Sequence, residues 1–123
     1  MKLNIKNETD RLKSVVLGQP KSIGPVPTLE ESYDAKSYYS IENGIYPKEE
    51  DIIAEMTAFE KVLKKYDVEV FRPNIIKDYN QVFARDVAFV IEDKMIISNV
   101  IKDRADEQEA YRKIFEKVEW RKI

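Results

Sequence analysis

Cysteine and histidine are both absent from these 123 residues. Without cysteine there is no disulfide framework, no thiolate metal site and no thiol nucleophile. Without histidine the chain lacks the usual acid/base group at neutral pH and the commonest metal ligand. Most hydrolase and transferase constellations are therefore beyond this polypeptide on its own. Glycine is scarce, with three in total, and none falls in a phosphate-cradling or dinucleotide-binding pattern. No cofactor is expected. A basic excess is missing too: 21 Lys and Arg against 23 Asp and Glu leave a net charge of -2. Nucleic acid is therefore a poor default partner. No window approaches the ~20 apolar residues that span a bilayer. The opening Met1-Lys2-Leu3-Asn4-Ile5-Lys6 has no apolar run after its charges. Neither a membrane partner nor a signal peptide is expected, and a cytoplasmic protein is the plain expectation.

What is present suits a folded domain. The hydrophobic fraction is 43% and the charged fraction 36%, enough for a modest core under a charged surface. Length alone predicts a single domain over residues 1–123, since domains cluster at ~100–150 residues.

Leu12-Lys13-Ser14-Val15-Val16-Leu17-Gly18 is short and β-branched and ends at Gln19-Pro20, a strand followed by a breaker. Residues 19–47 show no sustained period and hold most of the prolines. They read as a long loop, of the kind that is usually functional or mobile. The tyrosines at 33–46 suit a structured surface loop better than a substrate lid. From Pro47 onward Ile52, Met56, Phe59, Leu63 and Tyr66 recur at spacings of four, three, four and three, one face of a helix. Glu49, Glu50 and Asp51 in its first turn and Lys64 and Lys65 in its last favour the helix dipole. With no histidine and no converging carboxylates, these acids and Glu30–Glu31 read as charge bias, not as a metal site. Val68–Phe71 is a second strand, stopped by Arg72-Pro73-Asn74. Val87–Ile91 is apolar on both faces, as in a strand buried on both sides. Glu92-Asp93-Lys94 turns it into a hairpin with Met95–Ser98. Asp103 is placed to cap a second helix whose apolar face is Tyr111, Ile114, Phe115 and Val118. Its charges read as a solvated face with pairs such as Glu109–Lys113, and no strand is expected after it. The order strand, helix, strand, hairpin, helix predicts an α/β fold.

Asn80-Gln81-Val82-Phe83-Ala84-Arg85-Asp86 carries the chemistry, immediately before the strand at 87–91. A carboxylate at the mouth of a buried strand is costly unless paired. Two partners suit Asp86: Arg85 or another basic side chain, or a ligand guanidinium or amine held bidentately. Phe83 offers an apolar wall or a cation–π face, and Asn80 an amide donor and acceptor. On the residues alone, a local ion pair or turn cap is the simpler reading.

The pattern Asn80-x-x-Phe83-x-Arg85-Asp86 resembles the substrate-guanidinium motif of the guanidino-group-modifying superfamily, the arginine deiminases and glycine amidinotransferases. Asn7–Leu12 followed by Val15-Val16-Leu17-Gly18 is similar to the opening strand of the amidinotransferase branch. The helix after Pro47 and Val68-Glu69-Val70-Phe71-Arg72-Pro73 also resemble that branch, in the family's order. The chain departs at Tyr79, Ala84 and Val87, where Pro, Thr and Pro are usual. The resemblance implies a partial pentein (α/β propeller) fan built of ββαβ-type modules. Asp86 would grip the substrate guanidinium, Phe83 would line the pocket, and Asn80 and Arg85 would hold the loop or touch substrate. The family's chemistry is thiolate attack on the guanidino carbon, with an imidazole as acid/base. Those groups come from the later part of a longer chain, so no residue here is expected to be catalytic.

The expectation is therefore the N-terminal, guanidinium-binding part of an amidinotransferase-like enzyme acting on arginine or a related small guanidino compound. Two alternatives stand beside it: a non-catalytic ligand-binding or interaction module of the same fold, and an unrelated small α/β domain. Strand edges left uncovered by missing modules would favour a homo-oligomer.

Overall fold

The computed structural model describes residues 1–123. The chain runs through strand β1 (Ser14–Val16), helices α1 (Ala35–Glu42) and α2 (Glu49–Lys65), and strand β2 (Glu69–Phe71). Strands β3 (Ala88–Ile91) and β4 (Lys94–Ile97), a short helix α3 (Arg112–Phe115) and strand β5 (Trp120–Lys122) follow. Two small sheets result. In one, β1 and β2 pair in parallel with Val15 opposite Val70; in the other the order is β3-β4-β5. The α/β class expected from the sequence is found. No helix is long and apolar enough to cross a membrane.

Helix α2 links the parallel strands. Its end is closed by the bonds of a Schellman motif: Val68 N–H donates to Leu63 O and Asp67 N–H to Lys64 O, both at 3.1 Å. Asp67 takes the left-handed φ of 60° that this motif requires. Leu63 and Val68, which the motif brings together, form a small core with Leu17. The rest of the α2 stripe is less covered than its period suggests. Phe59 is 50% exposed and Tyr66 67%.

The larger core gathers Val87, Met95, Ile97, Ala110, Tyr111, Ile114 and Phe115. Tyr111 stacks on Phe115 with ring centroids 5.9 Å apart. Glu92, at a φ of 54°, turns the β3–β4 hairpin, and Ile5 bridges to Glu92 at the hairpin's tip.

Five expectations are corrected. Residues 19–47 are not one loop: a 3-10 turn (Leu29–Glu31) and helix α1 lie inside them. Asp34 caps α1, its Oδ2 accepting from Ser37 N–H at 3.1 Å. Strand β3 is not buried on both faces, because Phe89 and Ile91 stay exposed; β3 lies at the edge of its sheet. The helix expected from Asp103 is a 3-10 stretch, Lys102–Tyr111, that becomes α-helical only at Arg112, and Ile101 rather than Asp103 holds the cap position. Glu109 pairs with Arg112, not Lys113. The chain also does return to the sheet, as β5 runs parallel to β4 with Ile96 opposite Arg121.

Burial is thin. The accessible surface is 9077 Å², whereas a compact monomer of 14.5 kDa exposes roughly 6,900 Å². About 2,200 Å² is thus open beyond the expectation for this mass, an area of the size that stable partners cover.

Candidate functional site

The segment 80–86 is held from below by backbone and amide contacts. Gln81 is fully buried. Its Nε2 donates to Asn74 O and its Oε1 accepts from Ile76 N–H, both at 2.8 Å. Gln19 N–H donates to Gln81 O at 2.9 Å. This approach is so close that a Cβ on Gly18 would lie 2.2 Å from the carbonyl oxygens of Gln81 and Val82. Only glycine fits there, and Gly18 thereby docks the end of β1 against the candidate loop.

Above that anchor, Asn80 Oδ1 accepts from Val82 N–H at 3.2 Å, and its amide NH₂ has no partner within the chain. Ala84–Asp86 then forms a 3-10 turn. Side chains at i and i+3 eclipse in that geometry, so Phe83 and Asp86 fall on one side. Asn80, Phe83 and Asp86 line a common cleft of about 410 Å³. Three of the residues singled out by the sequence are thus brought together.

Arg85 is placed elsewhere. Its side chain is 85% exposed and its Nε is 3.9 Å from Asp86 Oδ1, a loose contact. It lies 5.9 Å from the Phe83 ring centroid and lines a second cleft of about 320 Å³ with Val16, Phe89 and Tyr111. The close partner of Asp86 is Arg104, whose Nη1 donates to Asp86 Oδ2 at 2.8 Å. Asp86 Oδ1 accepts no hydrogen bond, and the side chain is 45% exposed. One carboxylate oxygen is therefore clamped and the other open.

Arg104 is itself seated on Glu107, through Nε at 2.9 Å and Nη2 at 2.8 Å. The 3-10 pitch makes this possible, since Arg104, Glu107 and Ala110 fall on one face at a period of three. Burial alone would lower the Arg104 pKa, but the hydrogen bonds and charges of Asp86 and Glu107 together hold it above its ordinary value. Burial pushes the Glu107 carboxyl upward; the Arg104 charge opposes this without cancelling it. Glu107 Oε1 and the Tyr111 hydroxyl are buried with no hydrogen-bond partner. Burial likewise raises the Tyr111 pKa.

The sequence reading missed Arg104 and Glu107. A signal existed: Glu107 stands four residues before Tyr111 and seven before Ile114, on the apolar stripe rather than the solvated face. Residues 33–46, read as a structured surface loop in preference to a substrate lid, supply the opposite wall. Tyr33, Asp34, Lys36, Ser37, Ser40, Tyr46 and Pro47 complete the cleft.

No family model matches the chain, and no curated protein matches it. Among solved structures it resembles SxtG, an amidinotransferase from Microseira wollei in the saxitoxin biosynthetic pathway, with a TM-score of 0.67 at 19% identity. The fold is amidinotransferase-like. The match covers 98% of this chain and 41% of that one, so these 123 residues span under half of the neighbour's length.

Proposed function

We propose that this chain is the guanidinium-binding part of an amidinotransferase-type site. It would act on arginine or a related guanidino compound, with a thiol and an imidazole supplied by polypeptide outside these residues. The observation that carries the reading is the half-clamped Asp86. Arg104 fixes Oδ2, Oδ1 accepts no hydrogen bond, and Asp86 lines a cleft shared with Asn80 and Phe83. A guanidinium could donate to Oδ1 and lay its face toward Phe83. Asn80 would meet a polar group of the ligand through its free NH₂.

The thin core supports the second half of the proposal. The open surface is of the size a further set of modules or another chain would cover. In the complete site, a thiolate would attack the guanidino carbon while Asp86 holds the substrate's positive charge in place. The amidino group would pass to the sulfur, and the amine would leave with a proton from the imidazole. The absence of any cysteine or histidine favours a second reading, a module that binds guanidino ligands without chemistry.

The test is titration of the purified chain with L-arginine and with L-citrulline, which replaces the guanidinium by a neutral urea. Arginine binds and citrulline does not. Asp86→Asn weakens arginine binding by about 1–2 kcal/mol, the lower side of the scale for a charged pair because the carboxylate is half-exposed. Equal binding of the two ligands, or an indifferent Asp86→Asn, would contradict the reading. The chain alone forms no ornithine from arginine, since loss of a nucleophile–base pair costs ~10⁴–10⁶ in rate.

A further inference from the structure

The cleft beside Arg85 does not end at its apolar wall. Its lining is apolar except for Ser14 and Arg85. It shares Leu3, Ile5, Ser14 and Val90 with a larger cleft of about 620 Å³, so the two form one continuous surface. The larger cleft is basic. Lys2, Arg11 and Lys13 line it, all exposed and none in an ion pair. Its one acid, Asp10, already accepts from the Asn7 amide at 3.0 Å. Arg85, in only loose contact with Asp86, adds an exposed cation at the apolar end. The whole chain carries -2, so this basic rim is a local feature. Two strand edges meet here as well. Ser14–Val16 and residues 88–90 both line the apolar cleft, and β1 pairs only with β2 and β3 only with β4.

We infer that this surface docks an extended, acidic segment of a partner protein, with its apolar side chains in the Arg85 cleft and its carboxylates against Lys2, Arg11 and Lys13. The apolar wall supplies most of the affinity, since covering it removes apolar surface from water. The cations choose the sign of the partner and steer its approach. A basic segment of the same shape meets like charges and is rejected. The unpaired edges of β1 and β3 suit an extended backbone, which adds main-chain hydrogen bonds to the apolar contact. The surface open beyond the expectation for this mass, about 2,200 Å², exceeds the ~800 Å² that one partner buries in a standard interface. The inference is independent of the guanidinium reading of Asp86, which belongs to a different cleft.

Three synthetic peptides test it, titrated by NMR at low ionic strength and at a protein concentration where the chain sediments as a monomer. The first is an octapeptide alternating glutamate with valine and leucine. The second has lysine at every glutamate position. The third is an all-glutamate peptide. The first binds, moves the amide signals of Val16 and Phe89, and binds roughly ten-fold tighter than the second, the scale of a few exposed ion pairs. The third binds weakly or not at all, and Phe89→Ser weakens the first. The triple variant Lys2→Glu, Arg11→Glu and Lys13→Glu loses the preference for the acidic peptide. These side chains are exposed, so the urea midpoint of the triple variant stays near that of wild type. Equal binding of the first two peptides, or a preference that survives the triple variant, overturns the inference. So does all-glutamate binding as tight as the first, which would be charge alone. If no peptide binds while wild type pairs with itself through Phe89, the occupant is a second copy and the acidic partner falls.

Discussion

Arg85 and Asp86 are neighbours in the chain, yet they line different clefts. The Asp86 cleft is polar and assembled from three separated segments: the α1 region, the loop at 80–86 and the 3-10 stretch carrying Arg104. Arg104 is committed to Asp86 and Glu107, while one oxygen each of Asp86 and Asp34 accepts no hydrogen bond. The Arg85 cleft is walled by apolar residues of the N-terminal segment and both sheets, among them Leu3, Val16, Phe71 and Phe89. Nothing in the chain covers it. The difference separates two kinds of surface. A polar cleft with leftover charge selects a small ligand by direction and sign. An open apolar wall gains most from being covered by more protein.

Gly18 offers the largest expected effect, because it supports the polar cleft from below. Gly18→Ala forces a Cβ onto two backbone carbonyl oxygens and should cost about 3 kcal/mol of stability, the upper range for overpacking. The same change should loosen the 80–86 loop and so weaken arginine binding. Urea denaturation and ligand titration of one preparation measure both. A fully stable Gly18→Ala chain would mean that β1 does not dock the loop.

Glu107 tests the clamp through pH. Its folded pKa is raised above the ordinary glutamate value of 4.5. The sign follows from linkage: its favourable contribution is complete below that value and is lost as pH rises through the raised one. Glu60 goes the other way. Its carboxyl is lowered, first by the hydrogen bond from Arg72, so its contribution is lost as pH falls. Glu107→Gln should therefore lose most against wild type in acid and gain relative to it toward neutral pH. Urea midpoints across that range measure the trend. A constant difference between the two proteins would show that Glu107 does not titrate above its usual range.

The apolar wall should respond least in stability and most in association. Phe89 and Ile91 are 42% and 55% exposed. Phe89→Ser with Ile91→Ser should change stability by at most about 0.5 kcal/mol per site. The wild-type chain should self-associate at high concentration through this face or the free sheet edges, and the double variant should shift toward monomer. Its arginine affinity should be unchanged. Sedimentation velocity reads the first and titration the second; loss of arginine binding here would dissolve the distinction between the clefts.

Much of the fold was legible because its periods are strong. The α2 stripe and its end charges, the β3–β4 hairpin at Glu92-Asp93 and the α/β order are all found. The extent of cover was not legible. Apolar periodicity marks a face that can be buried, and Phe59, Phe89 and Ile91 remain open because no element packs on them here. Helix α1 escaped notice because Tyr38, Tyr39 and Ile41 give no stripe and no residue in it is fully buried. Of the candidate site, Asn80, Phe83 and Asp86 were legible through a motif with local geometry. Arg104 was not, since its distance to Asp86 is set by tertiary packing across 18 residues of chain.

The most direct test of the account is where a bare guanidinium lands. Amide chemical shifts of the 123-residue chain are followed during titration with methylguanidine, which carries the guanidinium with neither an amine nor a carboxylate. The account predicts shifts concentrated at Asn80, Phe83, Asp86 and Arg104, absent in Asp86→Asn, with Phe89 and Val16 unmoved. Shifts centred on the Phe89 cleft, or unaffected by Asp86→Asn, would contradict it.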